Sequence, residues 1–453
     1  MNSRPLCLPL LSLGTLVLNS HGGNWPNWRG PHFNGTAAED EKDLPVKFSA
    51  TEGVAWIADL PGPAASTPVV WGDSVFVTAA VESEKKLYAY CLDGKTGKVR
   101  WKNAVGDGYR VDERSNLASP SPVTDGTLAI FYFGTGDLVA FDFSGKEVWK
   151  TNVQKDHGRF AIQWTYASSL MLAENRLYVQ VLQRNESFDF AGVQKGEKDN
   201  PNDSYILALD PKTGKQLWKT IRPSDAVAES REAFTTPIPF THQGRAELLI
   251  TGGDAISGHD PATGAELWRW SSWNPQKIGH WRLVTSPVGG DGIVLACAPK
   301  REPIYAFKAG GNGVLGESGI AWITNDDERK EISSDICTPA FYKGRFFIVN
   351  GDRQSVACVE PATGKVLWDQ RIEPPDVRLQ KIETSPTVAD GKLYLMDHRG
   401  TVIVVAAADT FQLLGINQMG SDQEQEVRST IAVANGHLLI RSNGKLYCVG
   451  KKF

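Results

Sequence analysis

The side chains in this sequence best suited to recognition or chemistry are Arg114, Asn116, Trp164, Arg231, Glu232, Trp281, Arg282, Asp335, Lys381, Glu383 and Arg428. Each lies a few residues ahead of a Ser or Thr that opens an apolar run, so they act together only if those runs converge. Arg and Trp gathered at a concave mouth make binding anchors. The same mixture of cations and carboxylates can equally satisfy itself as a solvated rim of internal ion pairs. The residue types fit both.

Other chemistries find less support. The eight His residues show no HxH or HExxH spacing, so no metal site is expected. Asp199-Asn200-Pro201-Asn202-Asp203 offers oxygen ligands but lacks the Gly and terminal Glu of a calcium hand, and reads as a solvated loop. Asp326-Asp327-Glu328-Arg329-Lys330 reads as an exposed charged turn. There is no GxSxG and no phosphate loop. A net charge of −4 gives no footprint for a phosphate backbone, so nucleic acid is excluded as a partner.

The elements that must position the polar set come from a repeat. One unit opens with Ser or Thr and an apolar run, turns at a Gly, and returns in a second apolar run. A third strand then ends in Asp, a Thr-Gly turn follows, and a last strand carries Trp. The clearest copies are Ala89–Trp101 (AYCLDGKTGKVRW), Leu207–Trp218 (LALDPKTGKQLW), Ser257–Trp268 (SGHDPATGAELW) and Ala357–Trp368 (ACVEPATGKVLW). Weaker copies end at Trp149, Trp322 and Leu414, giving spacings of 48, 69, 50, 54, 46 and 46 residues. That length suits four short strands with their turns. The long unit carries a polar insertion, about Gln183 to Ser204, expected as a surface loop between two strands.

The openings Thr67, Ser119 or Ser121, Ser169, Thr236, Ser286, Thr338, Ser385 and Thr430 give one hydroxyl per unit, small enough for a crowded inner strand and able to bond a neighbouring backbone group. Asp291-Gly292, Asp390-Gly391 and Asn435-Gly436 are hairpin dipeptides whose two central residues need positive φ. The last unit, Ser429 to Val449, has no Trp strand, whereas Val54-Ala55-Trp56 has no opening of its own. Pairing these halves closes a ring and removes its open edges. The expected fold is therefore all-β: an eight-bladed β-propeller of four-stranded antiparallel blades over residues 54–450, closed by the N-terminal strand joining the last blade.

Position in the repeat also explains residues that might otherwise suggest a cofactor. Trp56, Trp101, Trp149, Trp218, Trp268, Trp322 and Trp368 share one place and are expected to dock blade on blade. Two residues before the Asp position stand Cys91, Ala140, Ala208, Gly258, Ala306, Cys358, Ala407 and Cys448, all small. Cysteines scattered over separate blades in a packing role are badly placed for disulfides, and none is expected among Cys91, Cys358 and Cys448.

Residues 1–20, with Arg4 ahead of an apolar stretch from Leu6 to Leu18, have the layout of a secretory signal, so export to the periplasm or the cell exterior is expected. Residues 21–53 form a leader. No later segment approaches membrane-spanning length.

The AxDxxTGxxxW repeat resembles those of pyrroloquinoline quinone (PQQ) dehydrogenases and of the outer-membrane protein assembly factor B family, over about residues 54–450. Trp25-Pro26-Asn27-Trp28-Arg29-Gly30-Pro31 resembles the leader of exported planctomycete-type propellers. The dehydrogenase resemblance implies PQQ with calcium, an adjacent-cysteine ring, Glu/Asn/Asp ligands and a catalytic Asp. This sequence has no Cys-Cys pair, and no position matches that motif well enough to inherit a catalytic role. The expected function is thus a non-enzymatic binding or scaffold propeller, a monomer without cofactor. It would recognise a protein or small molecule at the channel mouth, in association with outer-membrane or cell-surface machinery. The alternatives are a PQQ-dependent oxidoreductase acting on an alcohol or sugar, and a carbohydrate-binding propeller.

Overall fold

The computed structural model describes residues 23–63, 65–112, 115–271, 273–420 and 426–453, so the N-terminal signal expected over residues 1–20 lies outside the described residues. Eight blade sheets form among them, seven of four antiparallel strands and one whose outer strand Glu266–Trp270 carries a fifth, Gly313–Val314, in parallel, with very little helix. Their innermost strands, which number blades 1 to 8, are Val69–Trp71, Val123–Thr124, Met171–Ala173, Ile238–His242, Val288–Gly290, Ala340–Tyr342, Thr387–Ala389 and Ala432–Ala434. The expected ring closure is present. Val54–Asp59 is the outer strand of blade 8 and pairs with Lys445–Val449, setting Trp56 opposite Cys448.

Within a blade the second and third strands read as unbroken apolar runs because neighbouring blades cover both their faces. Ser74–Val81 is buried at every position, as are Leu128–Tyr132 and Ile293–Cys297. Hairpins between the first two strands use the dipeptides read from the sequence. Both residues of Asp291-Gly292 (φ 48 and 75), Asp390-Gly391 (50 and 69) and Asn435-Gly436 (55 and 72) lie in the left-handed region. The insertion of blade 3 runs from the end of Arg176–Val181 to the start of Tyr205–Leu209 and carries its own hairpin, Phe188–Phe190 with Val193–Lys195.

Register explains the small residues at the position before Asp. Cys91, Ala140, Ala208, Gly258, Ala306, Cys358 and Cys448 each stand directly opposite a blade Trp. The indole leans over its cross-strand partner and on to the next blade, where it meets the Thr-Gly turn. A Cβ on Gly97, Gly214 or Gly364 would come within 2.5–2.6 Å of Trp56, Trp149 or Trp322. Several indoles also donate to that turn: Trp56 to the Gly94 carbonyl (2.7 Å), Trp149 to Pro211 (2.8 Å) and Trp322 to Pro361 (2.7 Å).

Blade 7 corrects the sequence alignment. Its register places Gly415, not Leu414, at the Trp position, opposite Val404 rather than Ala407. A Cβ on Gly415 would lie 2.4 Å from the carbonyl oxygen of Val46, so the leader backbone fills the space that an indole takes elsewhere. With no indole leaning over it, the facing residue need not be small, and it is Val.

The five described cysteines are buried and free, and burial pushes the thiols of Cys91, Cys358 and Cys448 up to about 11, 12 and 12. No helix among the described residues is long and apolar enough to cross a membrane.

Candidate functional site at the channel mouth

The unit hydroxyls build the channel wall. They sit two residues ahead of each inner strand, with Ser121 rather than Ser119 at that place in blade 2. The N–H of Thr67 donates to Ser121 Oγ (2.9 Å), Ser121 N–H to Ser169 Oγ (3.0 Å) and Ser169 N–H to Thr236 Oγ1 (3.2 Å). The chain continues from Thr236 to Ser286 (2.8 Å), Ser286 to Thr338 (3.0 Å) and Thr338 to Ser385 (3.0 Å). The six hydroxyls from Ser121 to Ser385 therefore each satisfy a backbone donor of the preceding blade, a job that a side chain one carbon longer or without oxygen would not do. These hydroxyls donate to no acceptor among the described residues, so the wall presents unspent O–H donors to the axis.

One end of the channel is covered by the leader. Trp25 exchanges two backbone hydrogen bonds with Val70 (2.9 Å each), Thr124 donates to the Pro26 carbonyl (3.0 Å), Phe341 to Asn34 (3.1 Å) and Val388 to Gly35 (2.8 Å). These are inner-strand residues downstream of the hydroxyls, so the leader lies at the end of the channel away from the residues that precede the strands. Fully buried Arg29 donates to the Pro386 (3.1 Å) and Pro339 (2.7 Å) carbonyls and has no carboxylate partner. Burial lowers its guanidinium to about 9, still charged at neutral pH. Trp28 beside it faces a cavity of about 310 Å³.

That cavity is lined by Trp28, the hydroxyls Ser121, Ser169, Thr236, Ser385 and Thr430, and the charged groups Arg282, Lys300, Asp335, Lys381, Glu383 and Arg428. Glu383 is the hub. Its carboxylate lies 2.9 Å from Lys381, 2.6 Å from Arg428 and 3.0 Å from His398 Nε2, and its side chain is 3% exposed. Burial alone would raise its pKa, but His398, Arg428 and Lys381 outweigh it and hold the carboxyl well below its ordinary range. Asp335 accepts the Lys300 backbone N–H (2.6 Å), and Arg282 pairs with Glu229 (2.7 Å).

Of the residues singled out from sequence, Arg282, Asp335, Lys381, Glu383 and Arg428 line this one cavity. Asn116 is buried and caps its own loop, accepting from Ala118 N–H (2.8 Å). Trp281 is nearly buried, its N–H donating to Ser230 (2.7 Å). Arg231 clamps the carbonyls of Ser224 (2.8 Å) and Ala226 (3.2 Å). Glu232 is fully buried against Arg184, and burial first, opposed by Arg184, raises its carboxyl to about 7. Trp164 lines a separate off-axis cleft and donates to Glu229 (3.1 Å). Arg114 lies outside the described residues. Trp28, Lys300 and Glu229 escaped the sequence reading because the first belongs to the leader and the others to loops that the repeat does not phase.

Comparison with known proteins follows this geometry. The model of the family described as outer membrane protein assembly factor BamB matches residues 36–192 and 202–452, and the gap falls inside the blade 3 insertion. A polyvinylalcohol dehydrogenase from a Pseudomonas species is 24% identical over 384 residues, covering 79% of this chain and 51% of that protein. BamB of Yersinia pestis is 26% identical over 298 residues, 62% of each chain. The chain thus covers less than two thirds of either relative. Among solved structures, BamB from Moraxella catarrhalis superposes with a TM-score of 0.56 at 14% identity, over 86% of this chain and 98% of that one. A europium-containing methanol dehydrogenase gives 0.63 at 12% identity, over 94% and 98%. Those two structures share the propeller fold.

Proposed function

This chain belongs to the family described as outer membrane protein assembly factor BamB, and on that premise we propose that it is an exported, non-enzymatic recognition propeller. Its mouth takes an acceptor-rich group, a carboxylate or carbonyl, from a protein partner in the cell envelope. The observation that carries this reading is the occupied state of Glu383. The one deeply buried carboxylate of the cavity is surrounded by three basic groups and so is a poor general base. What the wall presents besides is donors: the unit hydroxyls, beside the Arg282 and Lys381 cations held in ion pairs with Glu229 and Glu383.

The dehydrogenase relatives favour a second reading, oxidation with a quinone and calcium. The donor set does not fit it. Calcium asks for six to eight oxygen ligands. Here the cavity offers two carboxylates, one accepting a backbone N–H and the other committed to cations, and no cluster of three or more His, Cys, Asp or Glu among the described residues could hold a metal. Recruiting Glu383 to an ion would take from Lys381 and Arg428 their buried counter-charge, leaving only the more exposed Asp352 and Glu426. No step is routed through the group.

Two measurements test the proposal together. A photo-crosslinking amino acid at Ile336, on the cavity wall, is expected to trap one discrete envelope protein, whereas the same group at Lys212, on an outer turn, traps none. Purified protein given PQQ and calcium is expected to reduce no dye with alcohols or sugars. Turnover there, or identical products from the two crosslinking positions, overturns the reading.

A further inference from the structure

The blade 3 insertion is not needed by the repeat, yet it is tightly built. Its hairpin is fixed by the Arg184–Glu232 ion pair, by Arg184 over the Phe188 ring (4.1 Å) and by Phe190 edge-on to Trp164 (5.2 Å). Gly196 N–H donates to the Phe160 carbonyl (3.0 Å), and Arg159 N–H to Glu197 (2.8 Å). A segment held this firmly against residues 159–164, whose residues 193–201 the family pattern skips, forms the roof of a cleft of about 520 Å³ away from the axis.

The lining of that cleft is two-natured. Phe160, Ile162 and Trp164 supply an apolar wall, and Arg110, Arg159 and Lys195 supply positive charge. Lys195 and Arg159 make no side-chain hydrogen bond or ion pair among the described residues, and Arg110 has only a 3.9 Å approach to Asp112. Asp112 is itself committed to the N–H and hydroxyl of Thr165 (2.7 Å each). The one other carboxylate that Lys195 feels, Glu232, is paired with Arg184. Cations left uncompensated beside aromatic rings make a site for an anion with an apolar body.

We propose that this cleft binds a small organic anion, its carboxylate or phosphate held by Lys195 and Arg110 and its flat body against Trp164 and Phe160. The cleft is a separate cavity from the channel mouth, joined to it by Glu229, whose Oε1 accepts from both Trp164 and Arg282, and the proposal does not rest on what the mouth recognises. Burial, with Arg110 adding to it against the pull of Asp112 and Glu232, lowers the Lys195 ammonium to about 8. At pH 7.5 its free-amine share is then roughly two hundredfold that of an ordinary lysine.

Pyridoxal 5′-phosphate probes both properties. The Lys195 nitrogen attacks the aldehyde carbon, water leaves, and added borohydride delivers hydride to the imine carbon, fixing a secondary amine that peptide mapping can locate. With limiting reagent, the Lys195 peptide is expected to carry most of the label. Pyridoxal, lacking the phosphate, should label it at least fivefold less, and excess 2-naphthoate should protect it while 2-naphthamide does not. Lys195→Gln should remove that labelled peptide. Arg110→Gln should abolish the phosphate preference while leaving Lys195 reactive to pyridoxal, with circular dichroism unchanged in both variants. Label spread over exposed lysines, or equal labelling by pyridoxal and its phosphate, overturns the proposal.

Discussion

The two ends of the channel are built from the same eight strands by opposite means. At the leader end, the contacts run to backbone: strand N–H to leader carbonyl, Arg29 on two proline carbonyls, and the Glu41 carboxylate on the Asn435 and Gly436 N–H groups. At the mouth, side chain meets side chain: Glu383 with Lys381 and Arg428, Arg282 with Glu229. Contacts through the backbone tolerate little rearrangement, since every lost bond leaves a buried polar group unpaired. The cations Lys381 and Arg428 stay partly exposed while Glu383 is buried between them, so their solvent side can meet a ligand without the hub breaking. On the function proposed above, the difference gives stability to one end and recognition to the other.

The contrast breaks most visibly at the leader. Trp25 is fully buried and belongs to the core shared by blades 1, 7 and 8. Trp25→Ala should destabilise the fold by about 3–5 kcal/mol, read as a fall in the denaturant midpoint. It should also admit a neutral fluorescence quencher to the Trp28 side of the cavity. A small shift would mean that the leader decorates a ring already stable without it.

Next in size is the hub of the mouth. Glu383→Gln leaves Lys381 and Arg428 without their buried counter-charge and should cost about 2–3 kcal/mol at pH 7. The sign of its pH dependence follows from the direction of the shift. A carboxyl held below its unfolded value stabilises the fold above that value, about 4.3 for Glu, and the contribution drains away as pH falls below it. Wild type should therefore begin to lose its advantage over Glu383→Gln below about pH 5 and go on losing it until pH falls through the folded value, well below the ordinary carboxylate range, seen as converging melting temperatures. Parallel curves across that window would show that the hub adds nothing to stability.

How much of this could be seen in the sequence depends on whether the repeat phases the residue. The Trp strand, the hydroxyl openings and the split last blade recur at fixed places, so the ring and its closure by Val54–Asp59 follow from counting. Five of the eleven mouth residues converge on one cavity because they immediately precede those openings. Arg231, Glu232 and Trp281 do not, because the turn at Ala228–Arg231 and the loop before blade 5 are folded by their own hydrogen bonds. The leader gave no periodicity at all. Its role shows only in partners far along the chain, from Val70 for Trp25 and Thr124 for Pro26 to Pro339 and Pro386 for Arg29. The blade 7 slip has the same origin: with Gly415 in place of Trp, nothing in the local sequence marked the register.

The smallest effect separates two copies of one repeat position and tests whether the hydroxyl belt is structural. Thr236 Oγ1 accepts the Ser169 N–H, and both residues are buried. Thr236→Val keeps the shape and removes the acceptor, so it should cost about 1–2 kcal/mol. Thr67 occupies the equivalent place in blade 1, but its Oγ1 is buried with no partner. There the same exchange removes an unsatisfied hydroxyl, and Thr67→Val should be neutral or stabilising by a few tenths of a kcal/mol. Chemical denaturation of the two variants side by side gives the answer. Opposite signs mean that the belt is held by its N–H bonds and breaks where the ring closes. Equal losses mean that the hydroxyls matter instead for what they offer to the channel.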